Sequence, residues 1–228
     1  MFVSIHQPNY LPWLGFFDKI KSSDKFVIFD NVQFPRGKKH FGHRNKIKTN
    51  NGDIWLTVPL IGKSELKDFN TISINYENEW IQKHLNLIKN FYKKSPYFSK
   101  YYENLESILA KKYDSLHELN TSLILFFLKE LKIETEILYA SEICPPEIKG
   151  ADRINFILKE LKATNYISGT GPGSLRYIDE QEFKDNNINL IWQNYKHPVY
   201  KQQYKNFIPY MSIIDLLFNE GPNSKNII

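Results

Sequence analysis

The sequence predicts an α/β fold of three layers, in which helices cover a mainly parallel sheet. Three observations support this prediction. A strand, a loop, a helix and a second strand fit into residues 2–29, strands and helices alternate again over the last third, and a helical block separates the two regions. We expect a single α/β domain over residues 1–228, with a helical insertion at about residues 78–131.

The opening residues VSIHQPNYLPWLGFFDKIKSSDKFVIFD predict a β-α-β unit. Residues 2–5 and 25–29 are apolar enough for two buried strands. The two prolines of HQPNYLP exclude regular structure between them. The apolar residues that follow recur at helical spacing, at Trp13, Phe16, Phe17 and Ile20. We therefore expect a parallel pair of strands with a right-handed crossover.

The rest of the chain supplies the other elements. Residues 30–51 are polar and basic, and NNGD makes a tight turn before a predicted strand at residues 54–60. Three segments with helical spacing follow. The last third predicts strands at residues 133–139, 165–168 and 189–195. It also predicts helices at residues 151–161 and 211–218, with Arg153 on the polar face of the first of these two.

Composition limits the classes of protein to which the chain can belong. Hydrophobic residues make up 42% of the chain and charged residues 24%, which is typical of a globular protein. The longest apolar run, at residues 123–128, is far shorter than the roughly 20 residues that span a bilayer. No secretory signal is visible at the N-terminus, and the single cysteine, Cys144, excludes an internal disulfide. We expect a soluble, cytoplasmic protein.

The net charge of +5 arises from 30 Lys and Arg against 25 Asp and Glu. Nucleic acid, an anionic membrane surface or a phosphorylated substrate would each attract such a charge. The lysines, however, are spread along the predicted helices with Glu and Asp between them, which is typical of solvated helix faces. We therefore expect no nucleic-acid partner.

Four polar segments follow predicted strands, where ligands bind in open parallel sheets. The first contains His6, Gln7, Asn9 and Tyr10. A histidine at the end of a strand can act as an acid or base, or bind phosphate. Alternatively, His6 holds the loop by hydrogen bonds.

The second segment, DNVQFPRGKKHFGHRNK, combines one acid with many cations and suits a phosphate or diphosphate. Its candidate residues are Asp30, Gln33, Arg36, Lys39, Arg44 and Asn45. A solvated basic loop is the alternative. His40 and His43 lack a third ligand nearby, so we expect no metal site.

The third and fourth segments lie near the C-terminus. SGTGPGSLRY exposes backbone amides at Gly169 and Gly171 that can cradle an anion, or it is a plain loop. HPVYKQQ and the residues after it supply His197, Tyr200, Gln203 and Asp215. His197 can act as a base, and the Asp215 carboxylate can orient its ring. Alternatively, Ser212 caps the last helix and Asp215 completes a capping box.

Five motifs together resemble the WbqC-like protein family: IHQPNYLPWLGFFDKI, DNVQFPRGKKHFGHRNKIKT, WLTVPL, YISGTG and HPVYKQQYKNFIPYMSIIDLLFNEGP. They occur in the family's order and cover nearly the whole chain. The resemblance implies a role in bacterial O-antigen or capsule synthesis, at the level of activated sugars. A weaker resemblance of the opening β-α-β unit to nucleotidylyltransferases implies a sheet of the nucleotidyltransferase or Rossmann-like type.

The activity that the resemblance implies is transfer of an acyl or aminoacyl group to the amine of a nucleotide-linked amino sugar. The base would be His6, substrate would contact Gln7 and Asn9, and the diphosphate would lie against Arg36, Lys39 and Arg44. The acyl donor would be coenzyme A or a carrier protein. One alternative is an ATP-dependent nucleotidyl transferase or ligase that uses Mg²⁺, and another is a non-catalytic partner of a carrier protein or glycosyltransferase. The oligomeric state is not predicted.

If the motifs mark one site, the first and last of them must converge in space. We predict that His6 and His197 line one pocket, with Asp30 on its floor and Tyr10 or Trp13 as an apolar wall.

Overall fold

The computed structural model describes residues 1–35, 37, 40–62 and 67–228. The chain forms two compact units. Unit 1 comprises Met1–Gln7, Asp18–Val32 and Glu134–Lys196, and unit 2 comprises Pro8–Phe17, Gln33–Ile133 and His197–Ile228. The predicted helical insertion lies in unit 2, and the prediction of a single domain stays a prediction.

Unit 1 is built on a five-stranded, all-parallel sheet, which confirms the predicted fold class. Its strands are β1 (Phe2–His6), β2 (Lys25–Ile28), β5 (Glu136–Tyr139), β6 (Asn165–Ser168) and β7 (Asn189–Trp192). They lie in the order β5-β2-β1-β6-β7. Counted within the sheet this order is 3-2-1-4-5, which is the doubly wound order of Rossmann-type domains. The direction of winding reverses between β1 and β6.

The layers of unit 1 follow from the alternation of side chains along β1. Val3 and Ile5 belong to a buried apolar cluster, to which helices α5 (Ala140–Ile143), α6 (Asp152–Glu160) and α8 (Glu180–Asp185) contribute. Ser4 points to the opposite face, as expected for the residue between them. Its hydroxyl accepts a hydrogen bond of 2.7 Å from Ser23, two residues after the end of helix α1 (Leu14–Lys21). Helix α1 therefore covers the face opposite to the cluster, and the unit has three layers.

The helices of unit 1 depart from the prediction in two places. Its helices are α1 (Leu14–Lys21), whose first half belongs to unit 2, together with α5 (Ala140–Ile143), α6 (Asp152–Glu160), α7 (Pro172–Tyr177) and α8 (Glu180–Asp185). The last two follow a glycine-rich turn and were not predicted. Arg153 was predicted on a polar face, but it is only 4% exposed because its Nε donates to the Ile148 carbonyl at 2.6 Å.

Unit 2 contains an antiparallel hairpin of β3 (Arg44–Thr49) and β4 (Gly52–Thr57). Only the second strand, β4, was predicted. The segment of β3 is rich in cations and has few apolar side chains, so it does not look like a buried strand. The strand forms nevertheless, because its polar side chains find partners far along the chain. Lys48, for example, is 2% exposed, and its Nζ donates to the Asn206 carbonyl at 2.6 Å.

Three helices follow in unit 2 as predicted: α2 (Trp80–Tyr92), α3 (Phe98–Ala110) and α4 (Leu116–Leu131). The breaks between them fall at residues 93–97 and 111–115. Ser115 caps α4, since its hydroxyl accepts the Glu118 N–H at 3.2 Å. The chain ends in α9 (Ile213–Glu220) and α10 (Ser224–Ile227). Among the described residues, no helix is long and apolar enough to cross a lipid bilayer.

Candidate functional site

The candidate site of unit 1 lies at the carboxyl edge of the sheet, where the strand order reverses. Strand β1 pairs with β6 up to Ser4 and Ile167. His6 is the last residue of β1, and Gly169 directly follows the last residue of β6. The first and third polar segments predicted from sequence therefore follow adjacent strands of the sheet. Crevices at such reversals are where doubly wound sheets bind their ligands.

His6 is half-buried, and its tautomer is set by the backbone. Its Nδ1 lies 2.8 Å from the Gln7 carbonyl oxygen. A carbonyl can only accept, so the neutral ring carries its proton on Nδ1 and its basic lone pair on Nε2. Burial and, to a smaller extent, the Lys19 charge lower the pKa of His6 to about 4, although the hydrogen bond to the Gln7 carbonyl opposes them. His6 is therefore neutral at pH 7.

Lys19 is the group of this site that the sequence did not reveal. It lies on α1, is 3% exposed, and donates from Nζ to the Ile5 carbonyl oxygen at 2.9 Å. Burial lowers its pKa to about 7. The sequence signal for the burial of Lys19 was its position three residues after Phe16, which places both residues on the same face of the predicted helix. A lysine at that spacing is normally taken as solvated, and only the packing identifies this one as buried.

The glycines after β6 leave the backbone open. A side chain added at Gly171 would meet nothing within 4 Å, and one added at Gly169 would meet only the Ser174 hydroxyl, at 4.0 Å. Gly171 has a φ of −70°, which any residue can adopt. The packing around these two positions does not require glycine, and the backbone angle of Gly171 does not require it either. A ligand that approaches the main chain closely would require glycine.

Asp30 follows β2 at the same edge, but its carboxylate has a structural task. One oxygen accepts the Ser141 N–H at 2.9 Å and the other accepts the Ser141 hydroxyl at 2.6 Å. This pair of bonds ties the end of β2 to the start of α5. The role of Asp30 as the floor of a pocket stays a prediction.

The first and last motifs of the chain meet in unit 2. Trp13 forms a backbone bridge with Ser212, and the Ile213 N–H donates to the Pro12 carbonyl at 2.8 Å. The Trp13 indole also lies edge-on against Tyr210, with ring centroids 5.7 Å apart. Because His6 belongs to unit 1 and His197 to unit 2, one pocket lined by both stays a prediction.

His197 has both ring nitrogens in hydrogen bonds. The Tyr210 N–H donates to Nε2 at 3.0 Å, so the proton is on Nδ1, which donates to the Pro198 carbonyl at 2.8 Å. Burial lowers the pKa of His197, although the bond to Pro198 raises it. The ring therefore holds the loop that follows it, and an activity as a base would require one of these bonds to open.

Asp215 is fully buried in a polar network of unit 2. Its carboxylate accepts the Tyr92 hydroxyl at 2.7 Å and the Tyr200 hydroxyl at 2.8 Å. Burial raises its pKa, and these hydrogen bonds oppose the rise. The predicted capping box is wrong. Ser212 stands at the N-cap position without a side-chain cap, and the Asp215 N–H donates to the Ser212 carbonyl instead. The Asp215 carboxylate does not return to Ser212, because the two tyrosines engage it and the Ser212 N–H donates to the Lys46 carbonyl.

The other residues predicted in the first loop pack inside unit 2. Asn9 is 5% exposed and Tyr10 is fully buried. The Tyr10 hydroxyl lies 2.9 Å from Nδ1 of His84. Asn45, from the basic segment, is fully buried as well and donates to the Leu11 carbonyl at 2.6 Å. These contacts give Tyr10 and Asn45 a structural role, and the contact of all three side chains with substrate stays a prediction.

The remaining candidates of unit 2 lie nearer to the surface. The Arg44 guanidinium stacks 3.9 Å above the Trp55 ring, which is a cation–π contact. Gln33 is exposed and forms a backbone bridge with Asp68, and Gln203 is half-buried. Arg36 and Lys39 lie outside the described residues.

The chain matches the profile of the WbqC-like protein family over residues 7–227. It is also 31% identical over 228 residues to "Uncharacterized protein Rv1507c" of Mycobacterium tuberculosis (strain ATCC 25618 / H37Rv). That similarity covers 99% of this chain and 96% of the relative. No solved structure matches the chain significantly.

Proposed function

Because the chain belongs to the WbqC-like protein family, we propose that it is an enzyme of bacterial surface-glycan synthesis that acts on a nucleotide-linked amino sugar. The reaction is transfer of an acyl or aminoacyl group to the amine of that sugar. The donor is a thioester of coenzyme A or of a carrier protein. We place the reaction in the cytoplasm, where both reactants are made.

The observation that carries this proposal is the pairing of β1 with β6 at the reversal of strand order. A neutral histidine, His6, ends β1, and an open glycine backbone at Gly169 follows the adjacent strand. Doubly wound sheets use this crevice for nucleotides. A base beside a nucleotide crevice is the combination that acylation of a nucleotide-linked amine requires.

The proposed step conserves atoms and charge. The amine nitrogen attacks the thioester carbonyl carbon, the new C–N bond forms, and the C–S bond breaks. The proton that the amine loses passes to the departing thiolate, so the products are an amide and a thiol. Nε2 of His6 carries this proton between them.

Burial keeps His6 neutral in the unliganded protein, with a pKa of about 4. A general base works best with a pKa near the working pH, so the proposal requires the pKa of His6 to rise when substrate binds. A bound anion that offsets the Lys19 charge would act in that direction. Gln7 supports this role through its carbonyl, which keeps the proton of the neutral ring on Nδ1.

The direct test incubates the protein with uridine- and thymidine-diphosphate amino sugars that carry a free amine, together with acyl-coenzyme A or acylated carrier protein. We expect thiol release and a product whose mass has increased by the acyl group. The His6→Gln variant should keep its fold and lose turnover by roughly 100- to 10,000-fold, the usual contribution of an acid–base group.

The matched control is His117→Gln, a histidine of helix α4 outside the proposed site, which should retain activity. Full turnover by His6→Gln would remove His6 as the base. Absence of any transfer across both donor classes would contradict the proposed reaction.

An ATP-dependent nucleotidyl transfer is the second candidate, and the same position of His6 at the end of the first strand favours it. There His6 would stabilise the phosphate in the transition state. ATP with Mg²⁺ should then raise the melting temperature, since a ligand at about 100 times its dissociation constant adds about 2.7 kcal/mol of stability. Nucleotide sugar that stabilises the protein while ATP does not would exclude this candidate.

A further inference from the structure

We propose that Lys19 is an anion anchor, and that its ammonium group binds a phosphate oxygen of the ligand at the carboxyl end of β1. The identification of this anion as the diphosphate of a nucleotide-linked sugar rests on the proposed function. The sequence had placed the diphosphate only in the basic segment of residues 36–46. Lys19 adds a binding group in unit 1, at the reversal of strand order.

The Lys19 ammonium contacts a backbone oxygen, and the part of the chain that the structure describes gives it no carboxylate partner. Its Nζ bonds one backbone oxygen, that of Ile5, at 2.9 Å. Among the residues that the structure describes, no carboxylate lies within ion-pair distance of this nitrogen. Asp18, its neighbour on α1, instead accepts the side-chain amide of Gln193 at 2.7 Å. An ammonium group has three donors, so Lys19 can give further hydrogen bonds.

A purely structural lysine would not be expected in this arrangement. Surface lysines bury the aliphatic stem and keep the charged end in water. Lys19 is 3% exposed, so its charged end is buried as well. An isolated buried charge is strongly unfavourable, and a buried lysine without a partner responds by losing its proton. Burial lowers the pKa of Lys19 to about 7, so about half of the molecules carry the ammonium form at pH 7. A bound anion would supply the counter-charge that stabilises this form.

Anion binding should therefore be linked to protonation. The titratable groups around Lys19 are His6 at the end of β1 and Asp18 on its own helix. The Ser23 hydroxyl, which lies within hydrogen-bond distance of the Ser4 hydroxyl and of the Lys19 carbonyl, does not titrate in this range. A bound anion stabilises the ammonium form, so it raises the pKa of Lys19. It also offsets the charge that depresses the pKa of His6, so both pKa values should rise together.

The experiment measures the pKa of Lys19 by NMR in the full chain, labelled with carbon-13 at the lysine Cε. The titration runs from about pH 5 to about pH 10, on either side of the pKa of about 7. It is done in chloride, in sulfate at equal ionic strength, and with UDP-N-acetylglucosamine, whose diphosphate diester does not titrate in this range. Sulfate or the nucleotide sugar should raise the pKa of Lys19 by about one unit or more. An unchanged pKa with both ligands would overturn the proposal.

Variants provide a second readout by calorimetry. Lys19→Met should weaken nucleotide-sugar binding by roughly 10- to 100-fold, the effect of losing a charged hydrogen bond. The affinity of the native protein should fall above about pH 7, because Lys19 then loses its proton. In Lys19→Met this fall should be absent. Lys21→Met, at an exposed lysine of the same helix, is the matched control and should keep both. Unchanged affinity in Lys19→Met would overturn the proposal.

Failure of this inference can be told apart from failure of the proposed function. Anion binding that depends on Lys19 without any acyl transfer would leave the anchor intact and contradict the reaction. Acyl transfer with unchanged substrate affinity in Lys19→Met would support the reaction and contradict the anchor.

Discussion

At the scale of single residues, Lys19 combines a binding role with a cost to stability. Its pKa in the folded protein, about 7, lies below the value of 10.5 in an unfolded chain. Between these two pH values the unfolded chain binds more protons, so the free energy of unfolding rises with pH over that window. Below pH 7 the full penalty of the buried charge applies.

We therefore predict that Lys19→Met stabilises the unliganded protein below pH 7. The gain should be on the order of 2–4 kcal/mol, because each unit of pKa shift is worth about 1.4 kcal/mol and lost packing offsets part of it. The free energy of unfolding of the variant should also lose its rise between pH 7 and 10.5. Urea denaturation at several pH values measures both effects. Equal slopes in the native and variant proteins would contradict the assigned pKa.

The Asp215 network gives a second prediction at this scale. Tyr200→Phe removes a 2.8 Å hydrogen bond to the buried carboxylate and should lower the free energy of unfolding by about 1–3 kcal/mol. Tyr210→Phe, at a tyrosine that is 53% exposed, is the control and should stay within about 0.5 kcal/mol of the native protein. Equal effects in thermal unfolding would show that the network contributes nothing.

At the scale of elements, a glycine explains part of the first motif. A side-chain carbon added at Gly15 would lie 2.2 Å from the Trp13 ring, so the indole packs directly on the first turn of α1. Gly15→Ala should therefore destabilise the protein by roughly 1–3 kcal/mol, although alanine is the better helix former.

The control for this prediction is Gly169→Ala, where the nearest atom would lie at 4.0 Å. Thermal unfolding should show little change for that variant. If Gly15→Ala were neutral as well, the Trp13 ring would have room to move, and the motif would need a functional explanation instead.

At the scale of the whole molecule, the net charge of +5 predicts salt-dependent binding. Exposed charges are screened over about 10 Å at 0.1 M salt, so affinity for a nucleotide sugar should fall as salt rises. The double variant Arg36→Ala/Arg44→Ala should bind more weakly and with less dependence on salt.

The double variant Lys93→Ala/Lys94→Ala is matched in net charge and lies at exposed positions after helix α2. It should bind as the native protein does. If both double variants lose the same affinity, the net charge alone would account for the effect and the basic segment would have no specific role.

The sequence by itself determined the parallel α/β class, the three helices of residues 80–131 and the polar segments after β1 and β6. These features depend on local periodicity and on short turns, which a sequence displays directly. The resemblance also predicted that the first and last motifs converge if they mark one site, and Trp13 does pack against Tyr210 in unit 2.

Only the tertiary structure decided which polar side chains are functional candidates and which hold the fold. Asp30, His197 and Asp215 look alike in sequence as acids and bases after strands, yet their oxygens and nitrogens bond to Ser141, to backbone atoms and to two tyrosines. Lys19 looks like a solvated lysine, yet it is buried. The physical reason is that burial and hydrogen-bond partners come from residues far apart in the chain, such as Tyr92 and Asp215, which are separated by 123 positions, and no local pattern records them.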